Sequence, residues 1–332
     1  MAEKIAIVYN EPVPGKYHSC GEGMAIDGVL DAVKAVSQAL STLKYDFQTL
    51  PLKPPLSLIK TDLQKLHVDI VVNLFEGIDG IPKSEAAVAE FLEEIGVHFT
   101  GSPSKALLVC DDKAATKQIL RASDIPTPDW QVLTPQCMAD FRLNFPCIVK
   151  PLQEHASHGL SEKSVVKDPD MLQKQVEFIV QTYEQPALAE EFLPGREFRA
   201  LVVGNHHLDV LPIEEVIYKL PPGKPKIVTY SAKWMQKDKY FRAIHEQCPA
   251  DIDADLKEKI ESTAKRSFTA LSCRHYASVD IRQDKDGALK VIDVNPNTDI
   301  SSSGSMRYPL ETAGIDYTAF IQDLLKLARE EF

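Results

Sequence analysis

Along the first hundred residues, short runs of β-branched residues alternate with segments of helical spacing. Residues 4–9 and 68–75 are rich in Ile and Val, as strands covered on both faces are, while 25–43 and 84–94 repeat apolar residues at helical intervals. That alternation predicts βαβ units and a parallel sheet. A boundary is expected near Gly101, Ser102 and Pro103, followed by a helix over 111–121 with acids in its first turn. Ile125, Pro126, Thr127 and Pro128 then force an extended linker. Beyond Trp130 strands dominate, at 147–152, 187–193, 197–203 and 208–216. Two helices interrupt them, one with an apolar stripe of Leu172, Val176, Ile179, Val180 and Tyr183, the other with Leu256, Ile260, Ala264, Phe268 and Leu271. The fold class expected is α/β, passing to α+β in the C-terminal part.

A second pattern lies between residues 275 and 295, where two alternating strands flank Asp286 and Gly287, a two-residue hairpin signal. With those two residues as the turn, Asp280 faces Asp293 and Ser278 faces Asn295. On the other side Val279 meets Val294 and Ile281 meets Ile292. The second set is an apolar face; the first places two like charges about 5 Å apart, which repel. A cation between them removes the repulsion, and Asn295 adds a third oxygen ligand, a set suited to magnesium or manganese rather than zinc. The alternative is an open face with both acids solvated, and a bulged turn would shift the register.

Composition narrows the partners. The chain of 332 residues is 44% hydrophobic and 26% charged, enough for two or three packed domains without disulfide or metal staples. A net charge of −11 disfavours nucleic acid and anionic membrane surfaces. The N-terminal apolar run is too short for a signal segment or a membrane span, so a cytoplasmic address is expected. The six scattered cysteines lack a CxxC pair and read as reduced, mostly buried thiols. An anionic ligand then requires local cations. Lys113 at a helix start, Lys150 at a strand end and Lys233 in the mobile, lysine-rich segment 220–239 are candidates. A small-residue turn, Glu154 to Gly159, follows Lys150 and offers backbone amides to phosphate. The segment AEEFLPGRE, beginning at Ala189, joins two strands through Pro194 and Gly195; such a connector can pair with an adenine edge, and a following carboxylate can accept from ribose hydroxyls.

In chain order, NLFEGIDG, VHFTGS, CDDKAATKQIL with its IPTP linker, IVKPLQEHASHGLS, AEEFLPGREF, TYSAKW and SVDIRQDKDGALKVIDVNPN resemble the ATP-grasp superfamily, and within it the D-alanine–D-alanine ligase-like proteins. The resemblance implies a three-domain architecture: a Rossmann-like N-terminal domain over 1–103, a central ATP-grasp subdomain over 104–186 and a C-terminal one over 187–332 with the metal site. It implies that Lys113 and Lys150 contact ATP phosphates, that Ser157 lies in the loop folding over them and that Lys233 reaches the terminal phosphate. Glu190, Glu191, Phe192 and Leu193 match the adenine-recognising linker, Glu197 the ribose-binding acid, and Asp280, Asp293 and Asn295 the magnesium ligands. The implied activity joins a carboxylate to an amine through an acyl phosphate. Small-molecule substrates are expected as partners, and a homodimer is an expectation because many relatives are dimers.

Three departures bear on that activity. An arginine usually stands two positions before the first metal ligand; here it is Ser278, and loss of such a donor costs about two to three orders of magnitude in rate. Arg282 or Arg307 is the candidate replacement. Asp293 is one methylene shorter than the usual glutamate. The substrate segments NEPVPGKYHSCGEG and PNTDISSSGSMRYP differ from those of cell-wall dipeptide ligases, so another amino acid, small peptide or related carboxylate is the expected substrate, with Arg307 for a carboxylate and Glu22 or Asp27 for an amine. The alternatives are a nucleotide-binding relative that has lost ligation and an authentic D-alanine–D-alanine ligase.

Overall fold

The computed structural model describes residues 3–13, 17, 20–23, 28–78, 81–302 and 304–330, and in it three sheets succeed one another along the chain. The first contains β1 (Lys4–Asn10), β2 (Asp46–Leu52), β3 (Ile70–Leu74) and β4 (His98–Phe99), all parallel, in the order β2-β1-β3-β4. Parallel strands need crossovers, and α1 (Val29–Thr42), α2 (Leu56–Gln64) and α3 (Ser84–Ile95) supply them. The expected helix over 111–121 is divided differently. Asp112 leaves the helical conformation and accepts from the Ala114 and Ala115 amides at 2.9 and 3.0 Å. It thereby ends α4 (Ser104–Asp111) and caps α5 (Lys113–Ala122), since a short carboxylate satisfies the free amides of a first turn.

The second sheet is antiparallel, β5 (Trp130–Leu133), β6 (Cys147–Pro151), β7 (Val165–Val166) and β8 (Ala187–Glu191) in the order β5-β8-β6-β7. Leu172, Val176 and Ile179 of α6 (Pro169–Tyr183) cover one face. Residues 187–191 thus belong to this sheet, and the break between it and the next falls after Glu191 rather than before Ala187. The third sheet holds β9 (Glu197–Gly204), β10 (Leu208–Val210), β11 (Glu214–Tyr218), β12 (Ile244–Gln247), β13 (His275–Gln283) and β14 (Leu289–Asn295), in the order β12-β11-β9-β13-β14 with β10 on β9. Residues 208–216, expected as one strand, are two, separated around Pro212, which cannot donate to a ladder. The segment 220–239, expected as a mobile loop, contains α7 (Tyr230–Trp234), capped by the Thr229 hydroxyl on the Ala232 amide at 3.1 Å, and Lys224 and Lys239 both bind Glu162 of the central region. α8 (Lys239–Ala243) leads into β12, and α9 (Ala254–Ala270) packs Ile260, Ala264 and Phe268 on the third sheet.

The C-terminal helices α10 (Arg307–Ala313) and α11 (Tyr317–Arg329) return to the start of the chain. Phe320, Ile321 and Leu324 share one core with Ile5, Ile7 and Ile70, and with Leu201 and Tyr276 of the third sheet. His275 fastens the same junction: its Nδ1 accepts from the Gly101 amide at 3.0 Å. Burial and the neighbouring Arg274 push the imidazole down to about 3. Below its ordinary value of 6.5 the unfolded chain takes a proton that the folded chain refuses, so stability is lost as pH falls from 6.5 toward 3, at up to about 1.4 kcal/mol per pH unit. Urea unfolding across that range should show this slope in the wild type and a shallower one in His275→Gln; equal slopes would exclude His275 as the source. All six cysteines are free thiols, with Cys110, Cys147 and Cys273 buried and Cys20 exposed. Among the described residues no helix is long and apolar enough to cross a membrane.

Candidate nucleotide and metal site

Strand alternation places the site. Val279 and Ile281 of β13, Phe198, Ala200 and Val202 of β9, and Val291 and Val294 of β14 face α9 in one core. Ser278, Asp280 and Arg282, Glu197 and Arg199, and Asp293 and Asn295 therefore share the opposite face. In the second sheet Cys147 and Val149 face α6, so Lys150 points the other way. It meets the third sheet at the Ile292 carbonyl, 3.5 Å from its Nζ.

The hairpin has Asp280 opposite Asp293 and Ser278 opposite Asn295, with Val279 on Val294. The turn is not the two-residue one. The Asp284 amide donates to the Ala288 carbonyl at 2.9 Å, which closes a three-residue loop with Gly287 at φ +85°. Ile281 consequently faces Val291, not Ile292, and the ladder slips by one residue between Ile281 and Asp280. Ile292 is the extra residue, a bulge that brings the two aspartates back into line.

Three lysines surround this pair from α5 and β6. Lys113 and Lys117 lie four residues apart on α5, one turn along the same face, and both are buried. Lys113 Nζ donates to the Glu154 carbonyl. Glu190 bridges the other two, 3.2 Å from Lys117 and 2.9 Å from Lys150. Lys117 also donates to the Thr127 hydroxyl at 3.0 Å, which in turn donates to the Val291 carbonyl at 2.8 Å. Burial lowers Lys113, and it lowers Lys117 to about 8 even with Glu190 beside it. For Lys150 desolvation is outweighed by Glu190 and Asp293, which hold it above its ordinary value. Desolvation is likewise outweighed at Asp293, kept low by Lys113 and Lys150, whereas at Asp280 it prevails over Arg199 and raises the carboxyl.

At the other end of the cleft Arg282 Nη1 donates to Glu197 at 2.9 Å and Nη2 to the Lys226 carbonyl at 2.6 Å, between the rings of Phe192 and Tyr218. The Tyr218 hydroxyl donates to the same Glu197 oxygen at 2.6 Å. Glu191 pairs with Lys290 at 2.8 Å, and Leu193 is buried. Ser157, at φ +63°, lies in the turn after Lys150, which Trp234 Nε1 reaches through the Ala156 carbonyl at 3.2 Å. Glu22 also joins that turn, 2.7 Å from His158 Nδ1 and 3.2 Å from the Gly159 amide, and accepts from the Tyr183 hydroxyl at 2.9 Å. Asp27 lies outside the described residues. Arg307 is half exposed and bonds Glu311 of its own helix at 3.1 Å; no bond joins it to a described cleft residue.

Lys117, Arg199, Glu76 and Asn297 were not legible as site residues. Lys117 has one signal, its spacing of four from Lys113; Arg199 has another, its spacing of two from Glu197 on a strand. Glu76 is exposed, yet desolvation by the surrounding protein, with Asp299 and Glu85 nearby, pushes it up to about 8. Asn297 donates to Glu85 at 2.6 Å and to the Phe75 carbonyl at 3.0 Å. Nearby, burial and Arg199 lower Lys233.

Among the described residues no group of three or more His, Cys, Asp or Glu side chains is placed to hold a metal. Asp280, Asp293 and Asn295 fit a hard, oxygen-seeking divalent ion nonetheless. They are three oxygen donors on one face, and two of them are facing carboxylates.

Known proteins resemble this chain along nearly its whole length. A family model described as the D-ala D-ala ligase C-terminus matches residues 119–326. An uncharacterised protein, y4sG, of Sinorhizobium fredii is 30% identical over 98% of this chain and 93% of its own length. The D-alanine–D-alanine ligase of Haemophilus influenzae is 27% identical over 89% of this chain and 94% of its own. Among solved structures, the D-alanine–D-alanine ligase from Bacillus anthracis complexed with ATP superposes with a TM-score of 0.75 at 22% identity, covering 99% of this chain and 97% of that one. The VanG D-Ala:D-Ser ligase from Enterococcus faecalis gives 0.76 at 17% identity, covering 99% and 100%. These structural likenesses establish the shared architecture.

Proposed function

The chain belongs to the D-alanine–D-alanine ligase family of ATP-grasp proteins, and from that premise we propose that it joins an amino acid, small peptide or related carboxylate to an amine through an acyl phosphate. It is an ATP-dependent carboxylate–amine ligase. The observation that supports the site assignment is the meeting of Lys113, Lys117 and Lys150 with the facing Asp280 and Asp293 between two antiparallel sheets.

In this reading Lys113 and Lys150 bind and orient the ATP phosphates, Lys233 meets the terminal phosphate, and the turn around Ser157 covers them. Phe192 and Leu193 line the adenine end, with Glu190 and Glu191 behind it, and Glu197 meets the ribose. Glu190 acts through its two lysines, keeping them charged in a dry site. Arg282 holds Glu197 and the basic segment together through the Lys226 carbonyl. Asp280, Asp293 and Asn295 would hold magnesium or manganese, which neutralises charge on the transferred phosphoryl group. The segment carrying α7, fastened by Glu162, excludes the water that would hydrolyse an acyl phosphate. The protein offers positioning and charge, without a nucleophile of its own. We further propose three working units near the bounds 1–103, 104–186 and 187–332, with the second break moved past Glu191. A cytoplasmic location and a homodimer complete the proposal.

Phosphate release from ATP should require a carboxylate and an amine together, tested first with D-alanine and then with paired amino-acid libraries. ATP binding without release for any pair would favour the relative that has lost ligation, a reading motivated by Ser278.

A further inference from the structure

Resting on the ligase reading above, we propose that Arg199 is a catalytic residue of the amide-forming step, its guanidinium holding the oxyanion formed when the amine attacks the acyl phosphate. In that step the amine lone pair makes the new C–N bond and the carbonyl π pair moves onto oxygen. On collapse the pair returns, the bond from carbon to the phosphate oxygen breaks with its electrons leaving on phosphate, and the ammonium proton passes to that departing phosphate. A fixed cation beside the developing oxygen charge lowers this barrier.

The chain lacks a cation at position 278, where the strand presents a buried serine to the site face. Arg199 supplies one from the adjoining strand. The β9–β13 register sets Arg199 opposite Asp280 and Leu201 opposite Ser278, so the arginine originates one strand over and two residues along, on the same face. Its Nε is 3.2 Å from Asp280, and Nη1 is 3.3 Å from Glu246 and 3.8 Å from Glu214. Two of its three nitrogens are thus held by carboxylates, which fixes the guanidinium plane. Nη2 makes no bond to a described residue, and the side chain is 17% exposed. An anchored guanidinium with one unengaged edge beside the metal-facing aspartate is the preorganised donor that this step needs. The two other candidates are engaged elsewhere: Arg282 binds Glu197 and the Lys226 carbonyl, and Arg307 binds Glu311 on its own helix.

The test uses the full chain with ATP, D-alanine as the carboxylate and hydroxylamine as the amine. Acyl-phosphate formation is read by positional isotope exchange in ATP, and the second step by hydroxamate production. Arg199→Gln should lower hydroxamate production by about 100- to 1,000-fold while exchange stays within about tenfold and the KM for ATP within about threefold. Adding Ser278→Arg to that variant should recover at least about tenfold, because it returns a guanidinium to the same face. Hydroxamate production within about threefold of wild type would overturn the proposal. So would a parallel fall of exchange and hydroxamate with a raised KM, which would mean that Arg199 only steadies Asp280. Should Arg199→Gln fail to fold, Arg199→Lys keeps a cation for Asp280 and is judged by the same ratio of the two rates. A wild-type chain silent in isotope exchange would instead remove the ligase reading with this substrate, and the proposal with it.

Discussion

Asp280→Asn should reduce ATP-dependent turnover by about 1,000-fold or more, the equivalent of about 4 kcal/mol of barrier, while leaving the fold intact. Asp280 and Asp293 face each other across the ladder, and the divalent ion proposed between them would require both charges. The amide keeps the shape of the carboxylate and an oxygen able to accept from Arg199, which also retains Glu246 and Glu214. Burial already pushes the Asp280 carboxyl up, so a neutral group is no intrusion there. Melting temperature should stay within about 4 °C of wild type. Loss of turnover together with the fold would mean that Asp280 is structural; turnover within tenfold would remove it from the proposed metal site.

Glu190→Gln is expected to do the reverse, costing about 3 to 5 kcal/mol of stability before any effect on rate is considered. The carboxylate is the shared counter-ion of Lys117 and Lys150, whose side chains are 3% and 12% exposed. Glutamine leaves two ammonium groups in a dry site without the carboxylate that pairs with both directly, only the longer-range charge of neighbouring acids such as Asp293 remaining. Lys117 is already lowered to about 8, so the folded chain releases its proton before the unfolded chain does, and stability rises with pH between about 8 and 10.5. Without Glu190 that release starts at lower pH. The deficit in urea unfolding should therefore be largest near neutrality and shrink as pH is raised toward 9. A deficit under about 1 kcal/mol at pH 7 would show that water or nearby acids screen the lysines as well as Glu190 does.

The hairpin shows how a local reading and a folded one can agree for different reasons. Alternation and the Asp286-Gly287 pair placed Asp280 against Asp293, and the chain does so, but through a three-residue loop and a compensating bulge at Ile292. The apolar face followed the same fate in part: Val279 meets Val294, whereas Ile281 meets Val291. The bulge was not legible because it depends on packing against α9 and on the Lys150 contact with the Ile292 carbonyl, both distant in the chain.

By itself the sequence determined the alternation of strands and helices, the apolar face of each, and the order of lysine, connector and acidic segments, because these depend on residue spacing along one stretch of backbone. Tertiary structure decided which charges answer one another. Glu190, read as part of a purine-binding connector, is the counter-ion of the buried Lys117 and the largely buried Lys150; Arg282 is taken up by Glu197; Arg199 stands beside Asp280. Each of these pairings joins residues from different strands or helices, and an ion pair between them forms only where sheet register and burial bring the groups within about 4 Å of each other.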